Sequence, residues 1–276
     1  MILAFVSRKG GVGKTTSVVN LAAALARLDQ RVLVVDLDSQ ASSSLSLGLK
    51  RHELVPSIYD VLMRGVPIVK AVRKTATAGL DLVCASSDLL SLDLDLAAVR
   101  HRETRLRDAI APIAGGYDWV FLDCPPALSV APQNAIVACD AYLVPTQPSF
   151  LAFEGIDVLV EAADRLLLRQ GRQAGLLGIL LTMVDYRTRS ARAHVTELRL
   201  QWGLKVFDTE VPGNVRLAEA PEAGRSIFET EPKSMGAHAY RLAAVELLAR
   251  TGKTPEPKVA QEPAPILQPT PVGVVN

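Results

Sequence analysis

A glycine-rich loop between an apolar strand and an apolar helix places the strongest constraint on this chain. The run from Ile2 to Val6 predicts a strand, and the pattern from Thr15 to Leu28 predicts a helix. The loop that joins them contains Lys9, Gly10, Gly11, Val12, Gly13, Lys14, Thr15 and Thr16. Glycines let such a loop curl so that its N–H groups face phosphate oxygens, and the following helix adds the positive end of its dipole. The loop is therefore predicted to bind phosphate.

The Lys14–Thr15 pair indicates a nucleoside triphosphate with a metal ion. A lysine at this point can reach the β- and γ-phosphates, and the threonine hydroxyl can ligate Mg²⁺. The general pattern of such loops asks for glycine where this chain has Arg8, so a glycine-rich turn without a ligand is one alternative. A dinucleotide-binding loop is another, but it keeps glycine or small residues where Lys14 and Thr15 stand.

Short apolar runs alternate with longer helical patterns, which is typical of a doubly wound α/β fold: a mostly parallel sheet with helices on both faces. Strands are predicted at Ile2 to Val6, Arg31 to Asp36, Leu80 to Cys84, Asp118 to Asp123, Ala141 to Pro145, Leu176 to Met183 and Lys205 to Asp208. Helices are predicted at Thr15 to Leu28, Ser57 to Met63, Arg102 to Ala114, Glu154 to Gln170, Ala191 to Gln201 and Ala237 to Thr251. We expect one P-loop domain over residues 1–251.

Composition limits the compartment and the partners. Residues 252–276 are rich in proline and are predicted to be a disordered tail, with a docking peptide as the alternative. The three cysteines form no CxxC pair, which argues against a disulfide framework and a zinc site. No uncharged run approaches the roughly 20 residues that span a bilayer. We therefore expect a cytoplasmic protein, whose net charge of +1 gives no global attraction for nucleic acid.

The loop Lys9–Thr16 resembles the deviant Walker A motif of the ParA/MinD superfamily, in which a second lysine stands at the start of the loop. The resemblance implies that Lys9 crosses the interface of an ATP-bound dimer and contacts the phosphates of the partner subunit. It also implies catalytic roles for Lys9 and Lys14.

Two carboxylate segments are similar to motifs of the same superfamily. Val34–Gln40 resembles its D-x-D-P-Q segment, with Ser39 in place of the proline, and this implies that Asp38 positions the attacking water and helps to organise Mg²⁺. The alternative is that Asp36 and Asp38 only cap the end of a strand. Tyr117–Pro126 is similar to the Walker B strand, which implies that Asp123 serves the metal together with Thr15 and Asp38.

Later segments extend the resemblance to about residue 250. Val206–Ala237 contains the family's Pro-x-Asn segment, which implies that Pro212 and Asn214 border the adenine; Gly213 stands where many relatives have arginine. Chromosomal ParA relatives bind DNA without sequence specificity through surface arginines, and the matching positions are Arg187 and Arg216. Between residues 164 and 205 eight basic residues stand against three acidic ones, although a solvated basic face without a ligand gives the same count.

The resemblance thus implies a DNA-partition ATPase of the Soj-like chromosomal type. Its cofactors would be ATP and Mg²⁺, and it would form a homodimer when ATP is bound and bind double-stranded DNA on the nucleoid. Its slow hydrolysis would be stimulated by a ParB-like protein. The alternatives are a ParA-like ATPase that positions another cargo, a scaffold that never touches DNA, and a MinD-like membrane-associated regulator. The last requires a basic amphipathic helix at the C-terminus, whereas this chain has a proline-rich tail there, so we expect no membrane contact.

Overall fold

The computed structural model describes residues 1–126 and 129–253, which form a seven-stranded sheet with helices on both faces. In chain order the strands are β1 (Ile2–Phe5), β2 (Val32–Asp36), β3 (Val72–Lys74), β4 (Leu80–Val83), β5 (Trp119–Asp123), β6 (Ala141–Thr146) and β7 (Gly175–Leu181). Their spatial order is β3-β4-β2-β5-β1-β6-β7, and every neighbouring pair is parallel except β3 with β4. The predicted fold class is confirmed.

The helices connect the parallel strands and cover the sheet. They are α1 (Lys14–Ala26), α2 (Ser42–Ser46), α3 (Ile58–Arg64), α4 (Ile68–Ala71), α5 (Leu92–Asp95), α6 (Arg105–Ala114), α7 (Val130–Ala138), α8 (Phe150–Arg169), α9 (Arg189–Trp202), α10 (Val215–Glu219), α11 (Ile227–Thr230) and α12 (Met235–Arg250). Within the described ranges, no helix is both long and apolar enough to cross a membrane.

The core consists of two apolar layers, one on each face of the sheet. Side chains alternate along β1, so that Leu3 and Phe5 pack in the layer with α1 and α12, whereas Ala4 and Val6 pack in the opposite layer. Because the central strands are buried on both faces, they read as continuous apolar runs in the sequence.

The strand order brings the carboxyl ends of three central strands to one edge. β5 pairs with both β1 and β2, and Asp123 is the register partner of Phe5 on one side and of Asp36 on the other. The phosphate loop follows β1 directly. In open α/β sheets ligands bind outside the carboxyl ends of the strands, so the fold places the loop and both carboxylates where such a site forms.

One predicted strand is wrong, and some elements were missed or begin at another residue. The predicted strand from Lys205 to Asp208 is absent from the described region: Val206 makes only an isolated bridge with Ile179, because the chain turns at Gly203–Lys205. The antiparallel strand β3 and the helix α7 were not predicted, and α8 begins at Phe150 rather than at Glu154. Of the predicted tail, residues 254–276 lie outside the described residues.

Candidate nucleotide-binding site

The phosphate loop curls through two glycines before α1. Gly11 and Gly13 have φ angles of 73° and 75°, in the left-handed region that favours glycine. Gly13 precedes the first residue of α1, and its carbonyl accepts the Ser17 N–H at 2.8 Å. The loop therefore lies at the N-terminus of a 13-residue helix, where N–H groups and the helix dipole favour an anion.

The segment after β7 holds the loop from the side. The Thr182 hydroxyl donates to the Val12 carbonyl at 2.7 Å, and the Thr182 N–H donates to the Thr146 carbonyl at 2.9 Å. A Cβ at Gly13 would touch Thr182 and Met183 at 3.6 Å. The curled loop is therefore attached to the ends of β6 and β7 as well as to β1.

Asp123 binds the two loop side chains that are predicted to serve phosphate and metal. Its Oδ1 accepts from Lys14 Nζ at 2.8 Å and its Oδ2 accepts from Thr15 Oγ1 at 2.8 Å. The side chains of Lys14 and Asp123 are only 8% and 0% exposed. Burial lowers the pKa of Lys14, but the charge and hydrogen bond of Asp123 outweigh it, so the pKa lies above its usual value. Lys14 is therefore a buried ammonium.

A third donor to Asp123, Ser43, was not predicted. Its hydroxyl donates to Asp123 Oδ2 at 2.7 Å from the short helix α2, and Ser43 is fully buried. The two residues are 80 positions apart in the sequence. No local pattern could have signalled this contact, since it arises only when α2 folds back over the end of β5.

The carboxylates Asp36 and Asp38 have different surroundings. Asp36 is fully buried, and it accepts hydrogen bonds from the N–H and hydroxyl of Ser44 at 2.9 and 2.8 Å and from the Asp38 N–H at 3.1 Å. Burial, followed by the charge of Asp123, raises the pKa of Asp36 to about 7. Asp38 is half-buried and accepts from the Gln40 N–H at 3.0 Å. Asp36 thus shapes the loop that presents Asp38.

Lys9 lies exposed at the rim of the site. Its carbonyl accepts from the Ser7 hydroxyl at 3.1 Å, and its side chain borders a mainly apolar cavity of about 390 Å³ between the phosphate loop and the β6–α8 connection. The position leaves the ammonium accessible from outside this chain. Its role at a dimer interface stays a prediction.

One of the two residues predicted to border adenine, Pro212, pairs with the segment after β7 that holds the phosphate loop. Pro212 forms an isolated parallel bridge with Val184, which immediately follows the Thr182–Met183 contact to the loop. The Asn214 carboxamide caps α10 by accepting the Arg216 N–H at 2.9 Å. Pro212 therefore pairs with the segment that supports the loop, while the Asn214 side chain has a local structural partner.

The two arginines predicted to bind DNA are exposed, and each forms a local ion pair. Arg187 pairs with Asp185 at 2.7 Å, and Arg216 pairs with Glu219 at 2.8 Å. The guanidinium of Arg187 lowers the pKa of Asp185 to about 2 through hydrogen bonds. Both arginines are thus accessible, but neither is an isolated positive charge.

The oxygen donors at the site suit magnesium bound together with a nucleotide. The Thr15 hydroxyl and the Asp123 carboxylate lie 2.8 Å apart beside the ammonium of Lys14, and Asp38 follows the neighbouring strand. Mg²⁺ takes one or two protein oxygens and completes its shell with phosphate oxygens and water. The donors therefore fit this ion and a triphosphate.

Several known proteins are similar to this chain in sequence. The family described as "AAA domain" matches residues 1–173. The chromosome partitioning protein ParA of Caulobacter vibrioides is 39% identical over 251 residues, covering 90% of this chain and 94% of that protein. The chromosome-partitioning ATPase Soj of Thermus thermophilus is 42% identical over 248 residues, covering 90% and 95%.

A solved structure extends the likeness to three dimensions. The cobyrinic acid a,c-diamide synthase of Mycobacterium smegmatis, with bound ADP and magnesium, has a TM-score of 0.80 at 32% identity and covers 91% of this chain and 95% of that one. Fold and site together define a P-loop protein of the nucleotide-binding ATPase class. The chain belongs to the AAA-domain family that matches it and, within that family, to the ParA/Soj partitioning ATPases, which confirms the resemblance found in the motifs.

Proposed function

We propose that this protein is an ATP- and Mg²⁺-dependent partition ATPase that acts in chromosome or plasmid segregation, with residues 1–251 as its ATPase domain. The observation that carries the proposal is the buried group in which Asp123 binds both Lys14 and Thr15 at the base of the glycine loop. The relatives named ParA and Soj and the solved structure with ADP and magnesium support it.

Nucleotide binding uses the loop as an anion site that exists before the ligand arrives. The N–H groups of the loop and the N-terminus of α1 receive the phosphates, and Lys14 neutralises charge on the β- and γ-phosphates. Magnesium, when bound, neutralises further phosphate charge. Thr15 and Asp123 would hold it through their oxygens, and Asp38 would help to organise the metal site.

Hydrolysis needs a water molecule in line with the γ-phosphate. Asp38 orients this water, and the hydrogen bonds that Asp36 accepts fix the loop in which Asp38 lies. Phosphoryl transfer depends mainly on positioning and electrostatic stabilisation, and turnover without a partner is slow, as the resemblance to the ParA/MinD superfamily implies. We propose that a ParB-like partner accelerates it.

The exposed ammonium of Lys9 gives the nucleotide a second role. It reaches the phosphates of a partner subunit, so that ATP gates a homodimer. The test is sedimentation velocity with ATP and Mg²⁺ on wild-type protein and on Lys9→Ala. We expect wild type to dimerise and Lys9→Ala to stay monomeric while it still binds ATP. An ATP-dependent dimer of Lys9→Ala would refute this part of the proposal.

DNA binding by the dimer uses Arg187 and Arg216, which act in the cytoplasm on nucleoid DNA. Water screens exposed ion pairs, which contribute little to stability, so DNA phosphates can displace Asp185 and Glu219 from these arginines. Such contacts are independent of sequence and weaken with salt.

Gel shifts of random duplex DNA test this surface. We expect Arg187→Ala and Arg216→Ala to weaken ATP-dependent binding roughly tenfold each and to reduce its salt dependence. Arg31→Ala is the matched control, since Arg31 is exposed and paired with Asp118 but lies outside the basic region of residues 164–205. If the three variants bound DNA with equal affinity, the assigned surface would be excluded.

A further inference from the structure

We propose that Ser43 is a positioning residue for magnesium-dependent nucleotide binding: its hydroxyl fixes the Asp123 carboxylate and connects that carboxylate to the loop of Asp38. This proposal rests on the proposed function and assigns a residue to its metal site.

Ser43 differs from the other two donors to Asp123 because it lies outside the phosphate loop. Lys14 and Thr15 belong to the phosphate loop, and both have other tasks once phosphate and metal are present. Ser43 comes from α2 and donates to Oδ2 at 2.7 Å from a fully buried position. It is therefore the donor of the three that stays with Asp123 when the site is loaded.

The loss of this hydroxyl would affect orientation more than charge. The terminal torsion of an aspartate is broad and roughly two-fold, so its orientation depends on the hydrogen bonds it accepts. Hydrogen bonds to a buried carboxylate are also stronger than those between neutral groups. Without Ser43, the Asp123 carboxylate of the loaded site would keep its charge but lose the donor that fixes its rotation.

The position of Ser43 in the chain links Asp123 to the water-positioning loop. The Asp123 carbonyl accepts the Leu37 N–H at 2.9 Å, and the Ala41 N–H donates to the Asp38 carbonyl at 2.8 Å immediately before α2. The next residue, Ser44, binds Asp36. Adjacent serines of one short helix thus bind two carboxylates that are register partners, Asp36 and Asp123.

The experiment compares Ser43→Ala and Ser43→Cys with Ser46→Ala. Cysteine keeps the size of the side chain but is a weak donor, and the Ser46 hydroxyl donates only to the Ser42 carbonyl of its own helix at 2.7 Å. Affinity for fluorescent ADP is measured in EDTA and over a Mg²⁺ titration, and urea unfolding reports the stability of each variant.

We expect both Ser43 variants to bind ADP in EDTA within about twofold of wild type and to need about tenfold more Mg²⁺ for the metal-dependent gain in affinity. Ser46→Ala should match wild type in both. If the Ser43 variants needed no more Mg²⁺ than wild type, the proposal would be overturned. An equal loss of ADP affinity with and without metal would also overturn it, because that result indicates a purely structural serine. Wild-type protein without any magnesium-dependent ADP affinity would overturn the proposed function as well.

Discussion

The ion pair at the phosphate loop and the ion pair of a predicted DNA contact have nearly the same length but different surroundings. Lys14 and Asp123 are 2.8 Å apart and almost fully buried, whereas Arg187 and Asp185 are 2.7 Å apart with the arginine 90% exposed. Burial therefore distinguishes them, because water competes for the second pair and not for the first. The first pair is part of the fold, while the second is a contact that another anion can replace.

The largest expected effect tests the buried pair. Lys14→Ala leaves the Asp123 carboxylate buried without its cation, so the free energy of unfolding should fall by about 3–5 kcal/mol. Urea denaturation of nucleotide-free protein measures it. Lys9→Ala, at an exposed position of the same loop, should change stability by less than about 0.5 kcal/mol. Equal effects of the two changes would show that burial does not distinguish these lysines.

Asp36 is a buried carboxylate without a cationic partner, and burial should therefore also make the stability of the protein depend on pH. The pKa of Asp36 is raised to about 7 in the folded protein, against about 3.9 when unfolded. Folding therefore takes up a proton between these values, so this group stabilises the protein below about pH 4 and the contribution disappears as pH rises to about 7, on the order of 4 kcal/mol in all. Asp36→Asn should flatten this slope in stability measured from pH 4 to 7.

Asp60 is the control of opposite sign. Burial raises the pKa of Asp60, but hydrogen bonds from Ser57 and its contacts with Arg64 outweigh it and lower the pKa overall. Its contribution to stability is present above about pH 4 and disappears as pH falls. Asp60→Asn should therefore lower stability at neutral pH. It should change the slope of stability against pH in the opposite direction to Asp36→Asn, and slope changes of the same sign in the two variants would contradict both assignments.

A neutral buried hydrogen bond should have an intermediate effect. Thr182→Val removes the donor to the Val12 carbonyl and leaves that carbonyl buried, which should cost about 1–3 kcal/mol of stability. ADP affinity should fall about fivefold, since the loop loses its lateral support. Thr196→Val, whose hydroxyl binds a carbonyl within exposed α9, is the control. Unchanged stability and affinity in Thr182→Val would contradict the supporting role.

The smallest effect belongs to the exposed pair. Asp185→Asn removes the carboxylate that competes for Arg187, and the free energy of unfolding should match wild type because the pair is exposed to water. ATP-dependent DNA affinity at low salt should rise about threefold. Asp157→Asn removes an exposed carboxylate of α8 that binds Gln201 instead of an arginine. An equal gain in both variants would indicate a general charge effect.

How far the sequence predicts the fold depends on periodicity. The central strands are continuous apolar runs between polar turns, and their positions were predicted within a few residues. α7 is almost entirely buried, with Pro132 in its first turn, and therefore lacks the alternation of apolar and polar faces that indicates a surface helix. The apolar segment from Lys205 to Asp208 looked like a strand, but it makes a single bridge beside β7.

The site residues also fall into two groups, those that a local sequence pattern defines and those that only tertiary contacts define. Lys14 and Thr15 could be predicted because neighbouring residues define the phosphate loop, and Asp123 because it ends an apolar strand. Ser43 and the buried partners of Asp36 could not, because their contacts depend on how α2 returns over the sheet. The local acidic partners of Arg187 and Arg216 were also missed, since a count of charges does not reveal which are paired.

The pairing of Asp36 with Asp123 across β2 and β5 has a consequence for how this protein acquires its chemistry. Successive residues of a strand point to opposite faces, so a shift of one residue between these strands would separate the two carboxylates and move each apolar side chain into the opposite core layer, where it does not fit. A misaligned sheet would thus lose its core and its metal site at once. Correct folding and a working nucleotide site are in this sense a single event.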